Sequence, residues 1–239
     1  PDSNNHYNCP IVTSYAENIK NNVDEITSGQ VKFLNPFMAF TNEDTLSSQL
    51  IKVFGSSEFG ISEAEIRDAV SEGWKELAVI RMEMQKKGEE VLKYMEETGR
   101  RGIVLAGRPY HVDPEINHGI DQLIASFGLV IVSEDAVWQL TDAPEVHVLN
   151  QWTYHSRMYG AAKYVTQKEN AQLIQLVSFG CGIDAITTDE MRAICENGGK
   201  IYTQLKIDEI SNLGAAKIRI RSMLAAVEEG RKLAEQQNA

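Results

Sequence analysis

Four short apolar runs alternate with helical patterns in the second half of the chain, and this alternation limits the possible folds more than any other feature. The runs are Ile103–Ala106, Leu129–Val132, Leu173–Val177 and Ile201–Ile207. Strands that alternate with helices form mainly parallel sheets covered by helices. Connections between parallel strands are right-handed. We therefore expect an α/β fold: a parallel four-stranded lobe of flavodoxin-like or Rossmann-like type. Its order is 2-1-3-4 if the second and third strands flank the first.

A long helical pattern divides this lobe from the N-terminal part of the chain. The sequence Ser62–Glu65 fits a capping box, in which the first and last side chains satisfy free amides at a helix start. Apolar residues then recur at helical spacing as far as Met95. We predict a partial N-terminal α/β lobe at residues 1–61, a connecting helix at 62–100 and a C-terminal α/β lobe at 101–239.

Turn and capping residues predict the remaining elements. The first lobe is expected to contain a short strand at Asn8–Ser14 and an extended stretch at Val31–Phe40. Helices are expected at Asp113–Gly128 and Glu145–Lys168, from a capping box at Thr187–Glu190 to Gly198, and after Ser211.

Composition excludes several classes of protein. The formal net charge is 23 − 34 = −11, which disfavours a broad nucleic-acid footprint because such surfaces need clustered cations. No apolar run approaches the roughly 18 residues of a membrane span. The three cysteines are far apart and odd in number, unlike a disulfide framework. We expect a cytoplasmic protein with neither nucleic acid nor membrane as a partner.

The residues best suited to chemistry follow the first and third predicted strands. These loops are Gly107–Asp113 and Ser178–Asp184. If the order is 2-1-3-4, both loops lie at the topological switch point, where open α/β sheets bind ligands. In the second loop Cys181 stands between two glycines. A thiol in that position is a poor choice for packing alone, so a binding or catalytic site is expected here.

Side chains of the first loop add charge and proton-transfer capacity. Arg108 could grip a carboxylate or phosphate, and His111 could orient a ligand or move a proton. Together with Tyr110 and Asp184 they form the predicted ligand cleft. The structural alternative stays open: Arg108 would pair with Asp113 or Glu134, and His111 would be an ordinary loop histidine.

Several segments together resemble the dehydratase-related region of the large 2-hydroxyacyl-CoA dehydratase activator proteins, the CoA-substrate-specific enzyme activases. The segments are Asn8–Tyr15, Ile19–Asn22, Phe33–Phe37, Leu105–Gly119, Ser178–Ala185, Leu205–Glu209 and Asn212–Ser222. The resemblance implies paired α/β lobes with a [4Fe-4S] cluster in the cleft between them. It also implies that Cys9 and Cys181 are cluster ligands and that Arg108, Tyr110, His111 and Asp184 line the cleft.

The same resemblance implies that this chain is one part of a longer protein. The ATPase module of that protein and a further cysteine are expected outside this chain. The expected partners are that module, a dehydratase and possible acyl-CoA ligands. Two thiolates cannot complete a four-ligand cluster. We therefore expect this piece, purified in air, to carry no cluster and to be inactive alone; whether the region is itself catalytic is left open.

Two other functions are consistent with the residues. One is a non-catalytic interaction or scaffold domain of the same protein. The other is a cysteine hydrolase with Cys181 as nucleophile and His111 or His155 as base. The glycines that flank Cys181 directly do not fit the spacing of a nucleophile elbow.

Overall fold

The chain forms two compact units whose boundary falls inside a long helix. A computed structural model describes residues 9–55, 58–178, 180–207 and 213–237. One unit covers Asn8–Glu83 and the other begins at Met84. The boundary lies within helix α4, Glu63–Thr98. The predicted capping box opens this helix, because Ser62 N donates to Glu65 Oε2 at 3.0 Å and Glu65 N donates to Ser62 Oγ at 3.3 Å.

The regular secondary structure described in the first unit is all helical. Its elements are α1 Pro10–Asn22, α2 Asp24–Thr27, α3 Glu43–Phe54 and the first part of α4. Asn42 begins α3 as a side-chain cap, accepting from Thr45 N at 2.8 Å. Neither of the two extended segments predicted here forms a strand among the described residues.

The predicted strand at Asn8–Ser14 is wrong, since helix α1 begins at Pro10; Asn8 itself lies outside the described residues. Proline is favoured in the first turn of a helix, where its missing N–H costs no hydrogen bond. Cys9 keeps an extended backbone and its carbonyl accepts from Thr13 N at 3.0 Å. The apolar, β-branched residues after Pro10 had suggested a strand. Residues 31–40 likewise have no regular secondary structure.

The second unit contains the predicted parallel sheet. Its strands are β1 Gly102–Ala106, β2 Val130–Ser133, β3 Ala171–Ser178 and β4 Tyr202–Ile207. All described pairings are parallel, and the order is β2-β1-β3-β4. The fold class and strand order predicted from the sequence are confirmed.

Helices cover both faces of the sheet and explain why its central strands are buried and mainly apolar. They are α5 Pro114–Asn117, α6 Ile120–Ser126, α7 Thr153–Thr166, α8 Gly182–Asn197 and α9 Leu213–Gln237. One core joins Val104 and Leu173 to residues of α7 and α8. The other joins Ile103 and Ile174 to residues of α6 and α9. Burial on both faces is the environment that selects such strands.

The single helix predicted from Asp113 to Gly128 is two helices. Asp113 caps α5 as expected, accepting from Glu115 N at 2.9 Å. The backbone then turns through left-handed conformations at His118 and Gly119, with φ of 54° and 81°. The side chain of Asn117 stabilises the start of the next helix, because its Oδ1 accepts from Asp121 N at 3.0 Å in the first turn of α6.

Long-range contacts also move the starts of α7 and α8. The segment before α7 is not helical: His147 N donates to Glu190 Oε2, 3.0 Å away on α8. Helix α8 begins five residues before the predicted box at Thr187–Glu190. Thr187 Oγ1 there donates to the carbonyl of Ile183 at 2.9 Å. Both ends of the predicted box are therefore committed to other partners. Ser211, the predicted start of the last helix, lies outside the described residues.

None of the described helices combines the length and the apolar character that a bilayer span requires.

A buried carboxyl group at the end of β2 predicts how stability depends on pH. Burial raises the pKa of Glu134 to about 8, helped by the Asp135 carboxylate and opposed by Arg157. Because the folded protein holds this proton more tightly than the unfolded chain, Glu134 destabilises the fold increasingly between about pH 4.5 and pH 8. The stability advantage of Glu134→Gln over wild type should therefore grow by about 2–4 kcal/mol as pH rises from 5 to 8.

The measurement is urea unfolding of both proteins at several pH values, with the difference between them isolating this one group. A difference that does not change with pH would contradict the buried, protonated carboxyl.

Candidate functional site

The carboxyl ends of β1 and β3 lie side by side and bring the two predicted loops together. Ala106 pairs with Gln175 in the parallel register of these strands. The loop after β1 forms a short 3-10 helix, Pro109–Val112, and the loop after β3 leads directly into α8. The topological switch point is therefore where the sequence predicts it, and its side chains define the candidate site.

Backbone contacts hold the first loop in shape around His111. The amide of Arg108 donates to His111 Nδ1 at 3.0 Å, and Asn117 Nδ2 donates to the His111 carbonyl at 3.0 Å. A Cβ at Gly107 would lie 2.7 Å from His111 Nδ1. Glycine is thus required at that position because the imidazole occupies the space of a side chain.

The partners of His111 also determine its protonation. A backbone N–H can only donate, so Nδ1 carries no proton and Nε2–H faces Ser178 Oγ at 2.9 Å. Burial lowers the pKa of His111 to about 4, with Asp184 opposing the shift only in part. The ring is therefore neutral near pH 7 and has one defined tautomer. Its role is to tie the two loops together.

A mostly buried ion pair forms the second connection between the two loops. Arg108 Nη2 lies 2.6 Å from Asp184 Oδ1, and the amide of Ser178 donates to Asp184 Oδ2 at 2.9 Å. The side chains are 17% and 6% exposed. Burial disfavours the charge on Arg108, but the hydrogen bond to Cys181 and the Asp184 carboxylate outweigh it and raise the pKa of Arg108. Arg108 thus pairs across the switch point with Asp184, not with Asp113 or Glu134.

The same guanidinium group donates to the sulfur of Cys181. Cys181 is the N-cap of α8 and is partly exposed. Gly180 before it has φ of 74°, a conformation that favours glycine. Gly182 differs, because it is simply the first residue of α8 and a Cβ there would meet no described atom within 4 Å. Only the glycine before the thiol is required by the backbone.

Tyr110 and Ser178 complete the cluster. Arg108 Nη1 donates to Tyr110 Oη at 2.9 Å, and that oxygen is 3.2 Å from Ser178 Oγ. Tyr110 is 41% exposed and forms the outer edge of the cluster. Ser178 is a residue that sequence reasoning missed as a member of the site. Its signal is a hydroxyl ending a buried strand next to the loop that carries the thiol.

The structure thus brings together Arg108, Tyr110, His111, Asp184 and Cys181, with Ser178 as a common neighbour. Neither imidazole proposed as a base hydrogen-bonds to the thiol in the described structure. His111 is committed to Arg108 and Ser178, and both ring nitrogens of His155 lack a described partner. In the described structure the thiol therefore contacts a guanidinium group and lacks the histidine base that the cysteine hydrolase alternative requires.

Cys9, the other predicted ligand, belongs to the first unit. It is the N-cap of α1 and is partly exposed, like Cys181 at the start of α8. Cys195 is fully buried, and burial raises the pKa of its thiol to about 12. No group of three or more histidine, cysteine or acidic side chains in the described ranges could hold a metal ion. That Cys9 and Cys181 are ligands of one [4Fe-4S] cluster stays a prediction.

A cavity of about 320 Å³ lies at the opposite, amino edge of the sheet. Arg101, Leu129, Gln172 and Arg231 are among the residues that line it. It contains no residue of the cluster described above. The chemistry therefore lies at the carboxyl edge, where titratable side chains and a thiol converge.

Comparison with known proteins adds one finding. The sequence pattern of the CoA enzyme activase uncharacterised domain (DUF2229) matches residues 1–137. This segment includes Cys9, Arg108 and His111 but ends before Cys181. No curated protein and no solved structure matches the chain.

Loss of the Asp184 carboxylate should break the ion pair with Arg108 and destabilise the fold. Asp184→Asn removes the charge that compensates Arg108, and a cation left without its buried partner is strongly unfavourable. We expect a loss of about 2–4 kcal/mol in the free energy of unfolding, measured with urea at pH 7. The matched control is Asp189→Asn on the same helix. Asp189 pairs with Arg192 but is 77% exposed, so its loss should cost less than about 1 kcal/mol. Equal losses in the two variants would contradict the special role of Asp184.

The tautomer of His111 can be observed directly. In protein with ¹⁵N-labelled imidazoles, Nδ1 of His111 should show the chemical shift of an unprotonated acceptor and Nε2 that of a protonated nitrogen. Because the folded pKa is about 4, these shifts should stay constant from pH 8 to pH 5. His111 thus adds stability that is complete above pH 6.5 and is lost as pH falls toward 4. A titration midpoint near 6.5 would refute the assignment.

Proposed function

Because the chain belongs to the CoA enzyme activase uncharacterised domain family, we propose that it supplies Cys181 and Cys9 as thiolate ligands to a [4Fe-4S] cluster. Its role is redox or electron transfer in an activator-like protein of acyl-CoA dehydration. The observation that supports this most is the contact between the Arg108 guanidinium and the Cys181 sulfur at the switch point.

The surroundings of Cys181 suit a negatively charged sulfur. Cys181 is the N-cap of α8, and a helix N-terminus favours negative charge. Arg108 adds a charged hydrogen-bond donor to the sulfur, held in place by its ion pair with Asp184. The sulfur is partly exposed, so a ligand can reach it.

The residues fit the cluster as individual ligands. Thiolates are the soft donors that iron–sulfur clusters require, and a second cysteine at a helix start, Cys9, has the same local geometry. Two ligands are not a complete set. The proposal therefore assigns the remaining ligands to groups beyond the described residues. When bound, the cluster would supply one-electron chemistry.

Each side chain around Cys181 then has a defined task. Arg108 donates to the sulfur and would stabilise negative charge added to a bound cluster, which favours the reduced state. Asp184 positions Arg108 and connects it to β3 through the Ser178 amide. His111 and Ser178 keep the two loops in register and stay uncharged. Tyr110, at the exposed edge, is the side chain best placed to contact a ligand or a partner surface.

Family membership also suggests the setting of this activity. The proposed partners are an ATPase module of the same protein and a dehydratase, with an acyl-CoA as a possible ligand of the cleft. The proposed location is the cytoplasm, where cysteines remain reduced. Activity in dehydration belongs to the assembled protein in this proposal, and the 239-residue chain alone is expected to be inactive.

The test is anaerobic reconstitution with iron and sulfide, using the chain together with its natural flanking sequence. Cys181→Ala and Cys9→Ala should each lower bound iron and sulfide at least severalfold and weaken the visible absorbance of the cluster. Cys195→Ala is the matched control, because this thiol is buried in a helix–sheet core. It should retain the cluster content of the wild type.

A second variant tests the role of the guanidinium. Arg108→Gln should keep the cluster but lower its reduction potential, because a positive hydrogen-bond donor to the ligand sulfur is removed. Unchanged iron content in both Cys181→Ala and Cys9→Ala would overturn the proposal. Partner binding that survives replacement of both cysteines would then favour the interaction or scaffold function.

A further inference from the structure

The first turn of α7 contains a buried histidine that the cluster proposal does not use. His155 is 7% exposed, and neither of its ring nitrogens has a hydrogen-bond partner among the described residues. Buried polar groups in proteins are nearly always paired, and an exception calls for an explanation such as an unseen ligand. His155 is the third residue of a 14-residue helix, so its side chain belongs to the start of that helix.

Two other side-chain donors of this unit are also unpaired in the described structure. Trp152, the residue before α7, has a buried Nε1–H without a described partner, and its ring centroid is 5.5 Å from that of His155. Arg108, in the loop after β1, has a buried Nε without a described partner, although the other nitrogens of this group are engaged. Three separate side chains therefore keep unused hydrogen-bonding capacity.

The helix start itself adds donors. Trp152 provides no side-chain hydrogen bond to the first turn, and that turn contains no acidic residue. The first amides of a helix have no partner within the helix, and they carry part of the positive end of the helix dipole. A helix of this length with no cap of either kind is suited to an anionic group placed at its N-terminus.

The topology of the sheet places the start of α7 at the carboxyl edge. Helix α7 leads into β3 and packs on the sheet beside Val104 and Leu173, so it runs antiparallel to β3 and begins at the edge where Arg108 and Asp184 lie. Burial lowers the pKa of His155 to about 4; the Arg108 charge adds to this and the Asp184 charge opposes it. The imidazole is therefore neutral near pH 7 and offers one donor and one acceptor.

We propose that the start of α7, with His155, Trp152 and Arg108 Nε, is a binding site for a small carboxylate. Two side-chain N–H groups, one imidazole nitrogen and the free amides of the first turn match the lone pairs of two carboxylate oxygens. Arg108 is common to this site and to the cluster proposed at Cys181, because its Nη2 donates to the sulfur while its Nε is unpaired. His155 and Trp152 make no hydrogen bond to the thiol in the described structure, so variants of these two residues test the carboxylate site alone.

Charge balance distinguishes a carboxylate from a phosphate. Arg108 is already paired with Asp184 at 2.6 Å, and His155 is neutral. What remains is the partial charge of the helix N-terminus, equivalent to roughly half an elementary charge. This suffices for a monoanion hydrogen-bonded to neutral donors. A dianionic phosphate would keep most of its charge uncompensated in a buried position, which is unfavourable.

The experiment titrates the 239-residue chain with sodium acetate at constant ionic strength, with sodium phosphate and sodium chloride as parallel probes. The readouts are the indole N–H signal of Trp152 and the imidazole nitrogens of His155 in ¹⁵N spectra. We expect acetate alone to shift both signals to saturation, at about millimolar concentration. Phosphate and chloride should produce no saturable shift.

Three variants test the assignment. His155→Phe should weaken acetate binding about tenfold or more, and Trp152→Phe, which keeps an aromatic ring but loses the donor, severalfold to tenfold. His118→Asn is the control, because His118 is exposed in a left-handed turn that asparagine tolerates. It should bind acetate like the wild type. Thermal unfolding verifies that each variant is folded.

Two outcomes would overturn the proposal. One is the absence of any saturable shift with acetate, which would mean that water alone satisfies His155 and Trp152. The other is equal or tighter binding of phosphate, which would mean a general anion site. Neither outcome bears on the cluster, whose test is the iron and sulfide content of the cysteine variants.

Discussion

The ion pair between Arg108 and Asp184 is the interaction on which the rest of the site depends. Its partners are 76 residues apart in sequence and meet only because β1 and β3 are adjacent and parallel. A buried charge is tolerated when its remaining hydrogen-bonding capacity is also satisfied. Asp184 meets this condition by accepting from Arg108 with one oxygen and from the Ser178 amide with the other. With the guanidinium held in this way, the same Nη2 also donates to the Cys181 sulfur, and Nη1 donates to the Tyr110 hydroxyl.

The histidine of this site has a structural task, and this decides which chemistry the site supports. One ring nitrogen of His111 accepts from a backbone amide and the other hydrogen-bonds to Ser178, and the ring is neutral because it is buried. It therefore cannot take a proton from Cys181 in the described arrangement. The group that does contact the sulfur is a permanent cation. This contact supports the proposed role of Cys181 as a ligand to iron over the alternative of a nucleophile activated by histidine.

Cys9 and Cys181 have the same local environment in two different units. Each is partly exposed and each immediately precedes a helix, with Pro10 or Gly182 as the first helical residue. Since helix N-termini favour negative charge, the fold prepares both sulfurs for the same kind of ligand. The start of α7 repeats this principle without a cysteine, through the unpaired donors of Trp152 and His155. In the second unit, the starts of α8 and α7 thus carry the thiol of the proposed cluster and the proposed carboxylate site.

The sequence by itself determined the parallel sheet, its order β2-β1-β3-β4 and the two loops that carry the site. These follow from apolar runs buried on both faces and from the handedness of crossovers, which are properties of local pattern and chain connectivity. Only the tertiary structure decided which polar groups are paired. Pro10 begins a helix where the sequence predicted a strand. The box predicted at Thr187–Glu190 lies inside α8 because Glu190 instead accepts from His147. Ser178 and His155 joined the site for the same reason: hydrogen bonds and burial between distant segments depend on packing, which no local pattern encodes.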